Sequence, residues 1–244
     1  MELLPTADAA ENVERLTASA LTLKADAPEQ VKLAQQIEGR ITSFVLRQLT
    51  VAPGISSAQL TSEVRRILKQ CPPDDDASCD IPGAARITGG GEGQVVLTYT
   101  LWPHLRLATT VIESYSLAKG HAVLGARETV LPGYDTDAEI VARYSKPAEE
   151  WVIVWGKAVG SSGLAPAGRA VLYKVGTASI DLVWEKEDLP YLSVHAHADD
   201  HRWEMSYADA ERYGKKQRGF LILEIYSLDY KLQTVSEIAH VHYQ

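Results

Sequence analysis

Apolar residues recur every three or four positions up to about residue 70, and at about every second position from residue 93 onward. The first spacing matches the turn of an α-helix and the second the alternation of a β-strand, so the chain divides into a helical first part and a β-rich remainder. In 8–23, Val13, Leu16, Ala20 and Leu23 fall on one helical face. A second helix is expected from near Asp26, which can cap it, with Pro28 in the first turn and Glu29 three residues after the cap. Its stripe is Ala34, Ile37, Ile41, Phe44, Val45 and Leu49, and Pro53-Gly54 breaks it. Ser56 or Ser57 can cap a third helix carrying Leu60, Val64, Ile67 and Leu68. Its C-terminal end bears Arg65, Arg66 and Lys69, where the helix dipole favours cations, and Cys71-Pro72-Pro73 stops it.

Strands are expected at 95–102, 105–115, 122–130, 140–144, 151–155, 170–175, 180–184, 192–197, 202–207, 220–226 and 232–238, separated by turn residues. Trp151–Trp155 is apolar at every position, as in a strand covered on both faces. Arg169–Glu185 and Gly219–Glu237 are weakly self-similar, each a strand, a short turn and a strand ending in Glu, and no third copy is evident. Two or three such units fall short of the usual blade count of a closed propeller. The fold class is therefore α+β: about three N-terminal helices, then an antiparallel meander forming a curved sheet or sandwich, with a partial propeller-like repeat as the alternative. The domain reading is a helical segment over 1–70, a polar Cys/Pro/Gly-rich linker over 71–92 and an antiparallel β-rich domain over 93–244.

Composition narrows the partners. Of 244 residues, 45% are hydrophobic and 23% charged, as in ordinary globular chains. The net charge of −8 disfavours nucleic acid, whose phosphates need clustered Lys and Arg. The one basic run, Lys215, Lys216 and Arg218, reads as a solvated hairpin loop rather than an anion site. No apolar run is long enough to predict a transmembrane helix, and the first residues lack the pattern of a signal peptide. The only cysteines, Cys71 and Cys79, lie in one wet, proline-stiffened segment. A disulfide between them fits an oxidising compartment, so an extracytoplasmic location is slightly favoured over the cytoplasm; two free thiols are the alternative.

The densest chemistry is His195-Ala-His197-Ala-Asp199-Asp200-His201. On a strand the first two imidazoles share a face and, with His201 and Asp199, can ligate Zn, Fe or Mn. A second pair, His240 and His242, lies on or just past the last strand, and convergence of the pairs would build a four-imidazole site. The alternative is a wet histidine cluster with Asp199-Asp200 in a turn. The segment resembles the metal motifs of metallo-β-lactamase-fold hydrolases and of cupins but departs from both. Asp200 stands where the first needs His, and Glu204 lies too far along for the second.

Thr88-Gly89-Gly90-Gly91-Glu92-Gly93 and Tyr115…Lys119 resemble the cofactor loop and Tyr-x-x-x-Lys of short-chain dehydrogenases. A strand-like run follows the glycines, however, where a phosphate loop needs a helix. Ser116-x-x-Lys119 lacks the helix that penicillin-binding enzymes place under their serine, and Gly160-Ser161-Ser162-Gly163 lacks the spacing of a nucleophile elbow. Trp102, Trp151, Trp155, Trp184 and Trp203 all fall in the β-rich part, where they either build a core or form a binding face.

The sequence thus points to a non-catalytic, extracytoplasmic binding or interaction module without a cofactor, taking a protein or carbohydrate partner. A metal-dependent hydrolase built on the His-x-His cluster, with one transition metal, is the alternative.

Overall fold

The structure, a computed structural model, describes residues 28–52, 54–68, 86–89, 93–101, 109–118, 121–130, 134–145, 148–157, 167–209, 221–229, 231 and 234–243, together with Val13, Arg15, Leu16 and Ser19. Most of the first expected helix, Cys71, Cys79, Trp102, Lys119, the 160–163 loop and the basic run at 215–218 lie outside these residues.

Two helices are described in full, α1 (Pro28–Val51) and α2 (Ser57–Leu68). Every residue of the α1 stripe is buried, from Ala34 to Leu49, and so are Leu60, Val64, Ile67 and Leu68 of α2. A capping box starts α2: Ser56 Oγ accepts from the Gln59 amide at 3.2 Å, and Gln59 Oε1 accepts from the Ser56 amide at 3.1 Å. Among the described residues, no helix is long and apolar enough to cross a membrane.

The remainder is antiparallel sheet. The first sheet is β1 (Arg86–Gly89), β2 (Gln94–Leu101), β3 (Thr109–Ala118) and β4 (His121–Val130), in that spatial order. The middle sheet is β5 (Tyr134–Ser145), β6 (Ala148–Lys157), β7 (Ala167–Val175) and β8 (Ile180–Pro190). The last is β9 (Ser193–His197), β10 (Arg202–Ala208), β11 (Leu221–Asp229) and β12 (Thr234–Tyr243). β1 falls inside the stretch read from sequence as linker. It pairs antiparallel with β2, and Gly93 leads directly into that strand where a cofactor loop would need a helix.

The three sheets repeat one another more closely than the sequence suggested. Each third strand shifts register against its fourth strand immediately before a tyrosine: between Ser114 and Tyr115, between Leu172 and Tyr173, and between Ile225 and Tyr226. The extra residue on the fourth strand is Gly125, Val183 or Ile238. Such bulges bend and twist a strand pair, so the same device shapes all three sheets. Thr109–Val130 is therefore a third copy beside the two read from sequence. It carries Glu113-Ser-Tyr115-Ser-Leu117 where the last sheet carries Glu224-Ile-Tyr226-Ser-Leu228.

Packing follows the repeat. Call the face bearing the post-bulge tyrosine the front. The front of the first sheet (Val95, Leu97, Tyr99, Val111, Tyr115) shares a core with α1 and α2. Its back (Val96, Ile112, Val130) meets the middle sheet's front (Val152, Val154, Val171, Tyr173). The middle sheet's back (Trp151, Ile153, Ala170, Leu172) meets the last sheet's front (Trp203, Met205, Ile222, Tyr226). The layers thus stack front to back, with the helices over the foremost front. β6 supplies alternate residues to two cores, which explains why Trp151 to Val154 are all apolar and buried.

Candidate functional site

The stack buries two glutamates at equivalent places. Glu113 on β3 and Glu224 on β11 are each 0% exposed and each precede the bulge tyrosine by two residues, on the front face. Alternation puts i and i+2 on one side, so Tyr115 and Tyr226 each donate their hydroxyl to their own glutamate, the second at 2.8 Å. A second-strand tyrosine stands two residues further along each front, Tyr99 opposite Val111 and Tyr207 opposite Ile222. Tyr207 donates to Glu224 at 2.5 Å.

The compensating cations differ in origin. Glu113 is paired by Arg127 of β4, directly opposite it, with Nε to Oε1 at 2.9 Å. Thr42 of α1 also donates to Glu113, at 2.6 Å, so this cluster ties the helix to the sheet. Buried Glu38 lies in the same layer, and loss of hydration pushes its carboxyl above the usual range; Arg127 pulls it back and Glu113 adds to the rise. Burial likewise raises the hydroxyls of Tyr99 and Tyr115, helped by the Glu113 charge.

Glu224 takes its cation from the neighbouring sheet. Lys186 of β8 reaches both of its oxygens at 2.6 Å. Desolvation works to raise Glu224, but hydrogen bonds from Lys186, Tyr207 and Tyr226 outweigh it and hold the carboxyl below its ordinary value. On β12 the residue directly opposite Glu224 is His240, the place Arg127 holds in the first sheet. His240 Nδ1 lies 3.2 Å from Glu224 Oε1 and 3.4 Å from Glu237 Oε1. The bulge at Ile238 brings Glu237 onto this face, opposite Tyr226. Glu224, Glu237 and His240 form the one group of three potential metal ligands within 4.8 Å of one another among the described residues.

The two histidine pairs do not converge. β9 and β12 are opposite edges of the last sheet, about 14 Å apart at the usual strand spacing. The faces differ too. His195 lies opposite Glu204, which lies opposite Ile225, on the back; His240 and His242 lie opposite Glu224 and Ile222, on the front. His195 Nδ1 is 3.7 Å from Glu139, and His197 Nε2 is 3.4 Å from Glu204. His201, in the turn between β9 and β10, rests its ring on Tyr144 at 5.4 Å. Asp199 is exposed in the same turn, so these residues face separate neighbours.

The described tryptophans are core residues. Trp151 and Trp203 are 0% exposed and offer no face to a partner, while Trp155 and Trp184 are partly buried against the same core. Trp184 meets Trp203 edge-on at 5.5 Å, and Trp203 stacks on Tyr226 at 5.3 Å. Their aromatic surface is spent on joining two sheets.

Among the described residues, the back of the last sheet is covered by no other sheet. Leu221, Leu223 and Ile225 stand at alternate positions along β11, with Val241 opposite Leu223 and Ala239 opposite Ile225. Leu221 is 43% and Val241 39% exposed. Sequence reasoning missed this row because β11 is apolar on both faces and reads like any covered strand.

Comparison of the chain with protein-family models, with curated proteins and with solved structures finds no match.

Proposed function

We propose that the protein is a non-catalytic interaction module whose partner docks on the back of the last sheet. The carrying observation is the order of the stack. The backs of the first and middle sheets are each covered by the next sheet's front, whereas among the described residues no sheet covers the back that carries exposed Leu221 and Val241 and half-buried Leu223 and Ile225. Exposed apolar residues scattered singly mean little, but a contiguous row on a regular sheet marks a binding surface. The occupant that fits is a second polypeptide presenting an apolar β face, since that chemistry covers the two equivalent backs. With the described tryptophans in the core, a protein suits this module better than a carbohydrate. Its placement outside the cytoplasm rests on the Cys71–Cys79 segment alone.

A photo-crosslinking residue at Leu221, compared with one at the isolated exposed Val31 of α1, tests the reading. A discrete adduct at Leu221 that disappears on adding Val241→Glu supports it, and a self-adduct would name a second copy as the occupant. Equal crosslinking at the two positions, or none at Leu221, would sink it.

A further inference from the structure

We infer that His240 and His242 chelate one divalent late transition ion, such as Zn²⁺, Ni²⁺ or Cu²⁺, at the free edge of the last sheet. The two residues alternate on β12 and share the front face, and their Nε2 atoms are 3.1 Å apart. Two nitrogens each about 2.0–2.1 Å from one ion stand roughly 2.9 Å apart at a right angle and roughly 3.4 Å apart at a tetrahedral one. The observed separation lies inside that interval.

The second observation is the orientation of His240. Its Nδ1 faces two carboxylates, Glu224 at 3.2 Å and Glu237 at 3.4 Å. Carboxylates only accept, so Nδ1 is the nitrogen placed to carry the proton, and Nε2 accepts a hydrogen bond from His242 Nε2, whose proton an incoming ion replaces. That is the arrangement in which an outer carboxylate fixes the tautomer of a metal-binding imidazole. Glu224 serves as this outer group and not as a ligand, because the Lys186 ammonium already holds both of its oxygens at 2.6 Å. Three ligand atoms within 4.8 Å at Glu224, Glu237 and His240 would offer another cage, but an ion there would have to displace Lys186. Imidazole selects late transition metals over Mg²⁺ or Ca²⁺. His240 is 38% exposed along its side chain and His242 is exposed, so water completes the coordination and the ion enters from solvent.

The molecule carries its own control. His195 and His197 have the same spacing on the opposite edge, but their rings meet edge to face, 84° apart, and their nearest carboxylates are Glu139 at 3.7 Å and Glu204 at 3.4 Å. The experiment is calorimetric titration of the tag-free full chain with ZnCl₂, repeated by electron paramagnetic resonance with Cu²⁺. The expected result is one equivalent bound in the micromolar range, with two nitrogens coupled to copper. His240→Ala or His242→Ala should weaken binding at least tenfold, and the double variant His195→Ala/His197→Ala should leave it unchanged. Both substitutions on β12 are at exposed positions, and a far-ultraviolet dichroism spectrum checks that each variant folds. No binding below about 1 mM zinc, equal loss in the β9 double variant, or retention in the β12 variants would overturn the assignment.

Discussion

The clusters around Glu113 and Glu224 solve one problem in two ways. Both bury a carboxylate beside the bulge tyrosine of a third strand. The first draws its cation from the adjacent strand and a hydroxyl from a helix, so it closes the end of the stack. The second draws its cation from the next sheet, so it fastens two layers. Where the first sheet places Arg127, the last places His240, because Lys186 already supplies the charge. A repeated scaffold has thus freed one position in one copy, and that position is the one to which we assign an ion. The middle sheet carries Val171 at the glutamate's place and needs no cation, since its front packs on the apolar back of the first sheet.

The two clusters should differ most when their cations are removed. Arg127→Met strands fully buried Glu113 beside buried Glu38 and should cost about 4 kcal/mol, as loss of one partner of a buried pair does. Lys186→Met should cost less, about 3 kcal/mol, because Tyr207 and Tyr226 still donate to Glu224. Urea denaturation of the two variants gives the order, and a reversed order would mean that the clusters are not balanced as described.

The bulges come next in size. A methyl on Gly125 would overlap the carbonyl of Thr177 in the turn between β7 and β8, whereas Ile238 at the same place in the last sheet is 50% exposed. Gly125→Ala should therefore cost about 2 kcal/mol through forced overpacking, and Ile238→Ala under about 0.5 kcal/mol. Thermal unfolding of the pair measures the contrast.

Acid gives the smallest effect, with opposite signs. Glu38 is raised above its unfolded value, so the stability from its protonated form is present below that value and is lost as pH rises through the folded pKa. Its charge therefore costs stability at pH 7, and Glu38→Gln should be stabilising there, with the gain fading in acid. Glu224 is lowered, so its contribution is present above the unfolded value and fades as pH falls through the folded pKa. Glu224→Gln should be destabilising at pH 7 and should approach wild type in acid. Denaturant midpoints at pH 7 and pH 3.5 test both signs.

Local features were legible in the sequence itself. The stripe of α1, the Ser56 start of α2 and the double-sided burial of β6 follow from period, capping chemistry and unbroken apolarity. What escaped was non-local. Register is set by which strand lies alongside, so the bulges, and with them the face on which Glu237 sits, leave no trace in one strand's own sequence. Lys186 as the partner of Glu224 depends on two sheets meeting. One signal was present and overlooked: Glu-x-Tyr-Ser-Leu occurs at 113 and again at 224, and aligning on it reveals the third copy. The spacing of the histidine pairs was plain, but their separation depends on strand order, which places β9 and β12 at opposite edges.

The front-to-back layering also gives the molecule a polarity. Head-to-tail contacts between identical subunits continue indefinitely when both complementary surfaces stay free. Here the helices plug the complementary surface inside the same chain, so a copy that arrives at the open end finds no socket to offer onward. Continuing the stack from one copy to the next by that route would therefore require the helices to leave the first sheet's front.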